Sequence, residues 1–218
     1  IGINRLGIWH YYEPSQLLQV QTGATPHLPK SDTPVSLVPG GKGSLINCVT
    51  GKEVASIDVA FPLLHGPYGE DGTVQGLLQL ADLPFVGADV LGSAVGMDKD
   101  VMKRLLRDAN IPIAQFRTLR RQEQCDPHSI VDALGLPVFV KPANLGSSVG
   151  VSKAATIDEL TTALETAFTY DKKIIVEEAV EGREIECAVL GNEEPTASVL
   201  GEIIPAHDFY SYEAKYLD

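Results

Sequence analysis

The chain has 218 residues, enough for one large or two modest domains, and at 44% hydrophobic and 21% charged it has the composition of an ordinary folded protein. Its net charge of -12 argues against affinity for nucleic acid or anionic membrane from bulk charge, so any anionic ligand has to be held by local cations. Cys48, Cys125 and Cys187 lie far apart with no C-x-x-C pattern, which argues for neither a disulfide framework nor a zinc site and fits a reducing, cytoplasmic setting.

No long uncharged apolar run marks a transmembrane helix, and no signal peptide is visible at Ile1. Ile1-Gly2-Ile3 reads as a strand already under way, so a domain whose opening segment precedes this sequence is expected. From Glu13 to Gly51, Gly, Pro and polar residues predict irregular structure, with short strands around Gly7-Ile8-Trp9 and Ser44 to Val49. Ile57, Val59 and Phe61 alternate with Asp58 and Ala60, a strand ended by Pro62. The loop HGPYGEDG, His65 to Gly72, then leads into a helix with Val74, Leu77, Leu78 and Ala81 on one face and Asp71 as N-cap. With a short strand at Leu83 to Val86 this makes a β-α-β unit, and His65 sits where such folds bind ligands. A histidine that only hydrogen-bonds within its turn is an equal alternative.

Leu91 to Met97 is short and mixed. Asp98 to Ala109 predicts an amphipathic helix with Val101, Met102, Leu105 and Leu106 inward, stopped at Asn110-Ile111-Pro112. Lys99 stands in its first turn, where the helix dipole disfavours a cation, so it is singled out although a solvated lysine is the commoner case. A strand is expected over Ile113 to Leu119. Asp126-Pro127 opens a helix with face Ile130, Val131 and Leu134 and a stop at Gly135. Val138, Phe139 and Val140 form a buried strand that ends by aiming Lys141 outward against Pro142. The loop Asn144 to Gly150 follows, its glycines Gly146 and Gly150 bracketing Ser147, Ser148 and Val149.

A lysine followed by a Gly/Ser loop at a strand end is what a nucleotide phosphate needs, although such loops are also ordinary connectors. This loop lacks the Gly-Lys-Ser/Thr ending of a Walker A loop. Thr156 to Glu159 is a capping box opening a helix with Leu160, Ala163, Leu164 and Ala167 inward. Ile174 to Glu177 is a strand followed by Glu178. Beyond the break at Gly182, Ile185, Cys187 and Val189 alternate in a strand that Gly191-Asn192 turns toward a partner near Ala197 to Ile204. A β-α-β-β-α-β order therefore runs from Ile113 to Val189, with a two-strand ribbon carrying the Gly/Ser loop. The acids Glu177, Glu178 and Glu184 at strand ends suit the hydroxyl and amino groups of a ribose and an adenine, though solvated glutamates are common there.

Six motifs occur in order: His65-Gly-Pro-Tyr-Gly-Glu-Asp-Gly72, Met97-Asp-Lys99, Val140-Lys-Pro142, Gly146-Ser-Ser-Val-Gly150, Glu181-Gly-Arg-Glu184 and Tyr212-Glu-Ala-Lys-Tyr216. The series resembles the D-alanine–D-alanine ligases of the ATP-grasp superfamily, over nearly the whole chain from Ile57 and more loosely before it. The resemblance implies an α/β ATP-grasp fold: a Rossmann-like parallel β-α-β domain over residues 1–96, a central mixed domain over 97–185, and the start of a carboxy-terminal domain with its lid over 186–218. It implies joining of two D-alanines through an acylphosphate, dependent on ATP and magnesium (or manganese), in a cytoplasmic homodimer with no nucleic-acid or membrane partner.

By the same resemblance, Lys99 and Lys141 hold the α- and β-phosphates, Lys215 reaches the γ-phosphate, and the loop with Ser148 and Val149 closes over them. Glu177 and the main chain from Glu178 to Val180 hold adenine, and Glu184 holds the ribose. His65 lies near the first D-alanine. Ser147 and Tyr216 form the side of the second substrate, and Tyr216 points to dipeptide rather than depsipeptide formation. The segment Pro205 to Asp218 resembles the mobile lid. The magnesium ligands and the phosphoryl-stabilising arginine are expected beyond Asp218. Two alternatives stay open, another ATP-grasp carboxylate–amine ligase such as a D-alanine–D-lactate ligase, and a non-catalytic nucleotide-binding module.

Overall fold

The computed structural model describes residues 1–13, 15, 31–123 and 125–204. The segment Pro205 to Asp218, expected to resemble a lid and carrying Lys215 and Tyr216, and much of the stretch after Glu13 lie outside the described residues. The chain divides into two compact units, Ile1–Leu64 with Tyr68–Ser93, and His65–Pro67 with Ala94–Asp218.

In the first unit, β1 (Gly2–Ile3), β2 (Trp9–His10), β3 (Pro34–Leu37), β4 (Ser44–Asn47) and β5 (Glu53–Ser56) form a sheet in that order, antiparallel throughout. This corrects two expectations. The stretch predicted as largely irregular contains β3 as well as β4, and among the described residues the parallel character expected of this domain is confined to one bridge, Ala60 to Phe85. The reason is connection length: the short turns between β3, β4 and β5 allow only hairpins, since a parallel pair needs a long crossover. Helix α1 (Thr73–Leu80) supplies such a crossover between Ala60 and Phe85, so the β-α-β unit exists at its minimum. The predicted strand Ile57 to Phe61 does not form, because the ladder stops where β4 begins; Ser44 faces Ser56, and only one further bond follows, from Ile57 N–H to Gly43 O at 2.9 Å. Asp71 precedes the N-cap, which is Gly72, yet its carboxylate still accepts from Thr73 N–H at 3.0 Å and from Tyr68 N–H at 2.8 Å. Burial works upward on this carboxyl, but those bonds outweigh it and hold it below its ordinary value. Val35, Leu37, Leu45, Val74, Leu78 and Leu83 form this unit's core.

Leu91 to Met97, expected as mixed, belongs to helix α2 (Val90–Met97), within which the division between units falls. Helix α3 (Lys99–Asp108) is N-capped by Asp98, whose carboxylate accepts from Asp100 and Val101 N–H at 3.1 Å each. Its inward face is not the predicted apolar one. Asp100 and Lys103 are 5% and 7% exposed, whereas Val101 and Leu105 are 38% and 52% exposed. A charge is buried only when paired, and these are. Asp100 Oδ1 accepts from Arg104 Nε and Thr118 Oγ1, both at 2.7 Å, while Lys173 Nζ reaches Asp98 Oδ2 at 2.5 Å and Asp100 Oδ2 at 3.5 Å.

The rest of the second unit follows the predicted order. β6 (Phe116–Arg120), α4 (Pro127–Leu134), β7 (Val138–Pro142), β8 (Ser152–Ala154), α5 (Ile157–Tyr170) and β9 (Lys173–Glu178) give β-α-β-β-α-β, with an antiparallel sheet ordered β6-β9-β7-β8. The predicted caps form. Asp126 accepts from His128 N–H at 3.0 Å ahead of Pro127, Thr156 Oγ1 accepts from Glu159 N–H at 3.2 Å, and Glu159 Oε2 accepts from Ala155 N–H at 2.7 Å. Strand alternation separates two faces. Val138, Val140, Ile174 and Val176 are fully buried with Ile130, Leu160 and Ala167 of the helices, each large apolar side chain contributing about 1.5–3 kcal/mol. The opposite face carries Phe139, Lys141, Ile175, Glu177, Phe116 and Thr118, and meets α3.

The predicted final ribbon is present in two pieces: β10 (Glu184–Glu186) pairs with β13 (Gly201–Ile203), and β11 (Val189–Leu190) pairs with β12 (Thr196–Ala197). Between them Ala188 N–H donates to Ser198 Oγ at 3.0 Å, a side chain standing in for a ladder partner. No helix among the described residues is long and apolar enough to cross a membrane.

Candidate functional site

The polar face of the second unit's sheet ends in a cavity of about 520 Å³. Of the residues singled out in the sequence, Lys99, Lys141, Ser147, Ser148, Glu177, Glu178, Val180 and Glu184 line it together. The lining also includes Ala114, Phe139, Leu145, Gly146 and Val151. His65 and Val149 are not part of that lining, and Lys215 and Tyr216 lie outside the described residues.

Register explains the juxtaposition of Lys141 and Glu177. Lys141 pairs with Ile175 and Phe139 with Glu177, so Lys141 and Glu177 are diagonal neighbours on one face. Lys141 Nζ lies 2.5 Å from Glu177 Oε2 and 5.5 Å from the centroid of the Phe139 ring. The other oxygen, Glu177 Oε1, pairs with Lys103, whose ammonium also stands 5.3 Å from the Phe116 ring centroid. Burial works upward on the Glu177 carboxyl, but Lys141 and Lys103 outweigh it and hold it below its ordinary value.

Lys99 reaches the same cavity from the first turn of α3. Its main-chain N–H donates to Ala143 O at 3.0 Å, and its ammonium donates to Pro142 O at 3.1 Å and to Leu145 O. These carbonyls hold a cation at a helix N-terminus, a position that the helix dipole alone disfavours. Burial, and Lys141 beside it, push the Lys99 ammonium below its ordinary value.

The loop between β7 and β8 is fixed at both ends. At its start Asn144 donates from its main chain and its side chain to Asp171 Oδ2, at 2.9 and 3.0 Å, while Lys173 N–H donates to Asp171 Oδ1 at 3.1 Å. Burial raises the Asp171 carboxyl, but these donors prevail and it sits below its ordinary value. At its far end Gly150 has φ 69°, and a Cβ there would lie 2.7 Å from the Tyr170 ring and 2.9 Å from Pro142. Between these anchors Ser147 and Ser148 adopt φ 52° and 58°, a left-handed conformation that two successive non-glycine residues seldom share. Val149 N–H donates to Gly146 O at 3.1 Å, so this amide closes a turn within the loop.

At the opposite wall, Glu178 Oε1 accepts from Gln115 N–H at 2.7 Å, and Ala179 N–H donates to Pro137 O at 3.1 Å. Glu184 begins β10 and is exposed. The arrangement therefore has cations and a Gly/Ser loop on one wall and carboxylates with main chain on the other, with Phe139 and Val151 between polar groups. That distribution matches the phosphate, ribose and base of a nucleotide. Among the described residues no group of three or more His, Cys, Asp or Glu is placed to hold a metal ion. Sequence reasoning missed Lys103; its spacing of one helical turn from Lys99 was the available signal.

Two family models cover most of the chain: "D-ala D-ala ligase N-terminus" matches residues 1–88 and "D-ala D-ala ligase C-terminus" matches residues 105–218. A D-alanine–D-alanine ligase of Shouchella clausii is 52% identical over all of this chain and 60% of its own length. The D-alanine–D-alanine ligase A of Escherichia coli K12 is 50% identical over all of this chain and 61% of its own. The chain thus spans about 60% of the length of these relatives. Among solved structures, the D-alanine–D-alanine ligase of Coxiella burnetii matches with a TM-score of 0.72 at 41% identity, covering 79% of this chain and 50% of that one. The VanG D-Ala:D-Ser ligase of Enterococcus faecalis matches with a TM-score of 0.72 at 38% identity, covering 83% and 52%. The polar-faced sheet and its Gly/Ser loop are thus those of an ATP-grasp protein, and the chain belongs to the D-alanine–D-alanine ligase family.

Proposed function

We propose that the chain is part of a ligase that uses ATP to join two D-alanines into D-alanyl-D-alanine for peptidoglycan, through an acylphosphate of the first. The observation that carries this reading is the convergence of Lys99, Lys141, the Ser147–Ser148 loop and the acidic wall of Glu177, Glu178 and Glu184 on one cavity. Phosphoryl transfer needs positioning and neutralisation of charge rather than covalent chemistry. Lys141 and Lys99 supply fixed cations for the phosphates, and the anchored loop supplies the cover over them. Glu177 and the main chain near Val180 accept and donate to the base, and Glu184 accepts from the ribose hydroxyls. Lys215 is assigned to the γ-phosphate, His65 to the first D-alanine, and Ser147 with Tyr216 to the acceptor. Magnesium, which the family resemblance implies, would neutralise phosphate charge alongside these lysines; among the described residues no group of three or more His, Cys, Asp or Glu is placed to hold it. A cytoplasmic homodimer completes the reading.

The test is ADP release by the purified protein with ATP, magnesium and D-alanine, offering D-lactate and D-serine in parallel and identifying products by mass. D-alanyl-D-alanine as the main product is expected. Preference for either alternative acceptor would overturn the dipeptide assignment, and nucleotide binding without ADP formation would overturn catalysis.

A further inference from the structure

Lys103 is the most deeply buried lysine on the polar face, 7% exposed, and it does not line the cavity. It stands one helical turn after Lys99 on α3, so the helix delivers one cation to the cavity and one behind it. Its ammonium meets Glu177 Oε1, lies 3.5 Å from Ala114 O and faces Phe116. Glu177 is therefore shared: one oxygen is taken by Lys103 and the other by Lys141. An ammonium has three donors and a carboxylate only acceptors.

We propose that Lys103 is a positioning residue that balances Glu177, so that the charge and remaining donors of Lys141 stay available to the phosphates of the nucleotide. Lys103 and Lys141 bring two positive charges to the single carboxylate of Glu177, so that carboxylate does not cancel the charge of Lys141, and Lys99 reaches the same cavity. Without Lys103, Lys141 is the ion-pair partner left to Glu177 among the described residues, and the buried carboxylate draws that ammonium inward. A buried carboxylate with too few partners recruits whatever cation remains, because its desolvation is costly. The proposal rests on the nucleotide reading of the cavity.

The test compares ADP and AMP binding to the purified protein in EDTA, where lysines are the cations that the site itself contributes. Lys103→Met keeps the packed stem and removes the charge. It is expected to lower the preference for ADP over AMP about tenfold, the size of one charge-assisted contact. In a Glu177→Gln background the same substitution is expected to change that preference by less than about twofold, since Lys103 acts through Glu177. If Lys103→Met alone fails to fold, Lys103→Gln supplies the single-variant comparison, and a loss of preference between Glu177→Gln and the double variant still overturns the proposal. Equal losses for ADP and AMP, or a loss as large in the Glu177→Gln background, would overturn the proposal while leaving the nucleotide site intact. Failure of the unaltered protein to bind either nucleotide would overturn the reading beneath it.

Discussion

Asp171 accepts twice from Asn144, once from the main chain at 2.9 Å and once from the side-chain amide at 3.0 Å. The same carboxylate takes Lys173 N–H on its other oxygen, so it ties the start of the Gly/Ser loop to the start of β9. Asp171→Ala removes all three bonds and leaves half-buried donors unsatisfied, a loss of about 1–3 kcal/mol. Denaturant unfolding should show that decrease, and ADP affinity should fall with it. Unchanged affinity in a destabilised variant would mean that the loop's position does not depend on this tie.

Gly150 is constrained twice, by its left-handed φ of 69° and by the closeness of Tyr170 and Pro142. Gly150→Ala is expected to cost about 1–3 kcal/mol from the dihedral and the contact together. Adding Tyr170→Leu should relieve the contact with Tyr170 and leave the Pro142 contact and the dihedral part, so a partial rescue of the unfolding midpoint is expected. Full rescue would show that the backbone at Gly150 carries no strain.

Much of the second unit was legible in the sequence because its signals are local. The period of Leu160, Ala163, Leu164 and Ala167, the capping box at Thr156, and the Asp126-Pro127 start each act within a few residues, and each formed. Lys99, Lys141 and the Gly/Ser loop were singled out from local signals, a cation in a helix's first turn, a cation at a strand end and closely spaced glycines, and the structure brings Lys99, Lys141, Gly146, Ser147 and Ser148 to one cavity. Helix α3 misled because its inward face is charged. The groups that neutralise it are remote, Thr118 lying 18 residues from Asp100 and Lys173 lying 75 from Asp98. Periodicity weighs apolar residues and is blind to such partners, so Lys103 was passed over while Leu105 was placed inside. β3 was missed for a related reason: Pro34 opens it, and only its partners β2 and β4 make it a strand.

Lys141→Ala separates binding from structure. Lys141 lines the cavity and is partly exposed, so its removal leaves Glu177 paired with Lys103. ADP affinity should drop about tenfold or more, as expected for a charge-assisted contact, with a KM for D-alanine close to that of the unaltered protein. Equal losses for both ligands would place Lys141 elsewhere in the mechanism.

Stability should fall in acid through a defined group of carboxyls. Asp71, Asp100, Asp171 and Glu177 all titrate below their ordinary values of 3.8 for aspartate and 4.5 for glutamate in the folded state. For Asp100, as for the others, burial pulls upward and is outweighed, here by Arg104, Thr118 and Lys173. A depressed folded value means that the unfolded chain binds more protons, so the stabilisation is present above the ordinary values and is lost as pH falls through the folded ones. Unfolding midpoints should be level from pH 7 to about 5 and decline below. Asp100→Asn should be less stable at neutral pH and decline less steeply. A parallel decline would remove Asp100 from the group.

Lys99 gives the opposite pH signature. Its ammonium titrates below the ordinary 10.5, first because it is buried and then because Lys141 is near. Between the depressed value and 10.5 the unfolded chain holds the proton and the folded chain does not, so this group's contribution to stability rises with pH there. Ligand binding runs the other way, since a phosphate needs the charged ammonium. ADP affinity should therefore weaken as pH climbs through the depressed value, approaching about tenfold per pH unit if Lys99 alone titrates. Lys99→Arg stays charged throughout, so its affinity, whatever its absolute level, should lack that alkaline decline. Titrating ADP into both proteins across the alkaline range decides the matter. Parallel curves would mean that the decline belongs to another group and that Lys99 does not meet the phosphate as a cation.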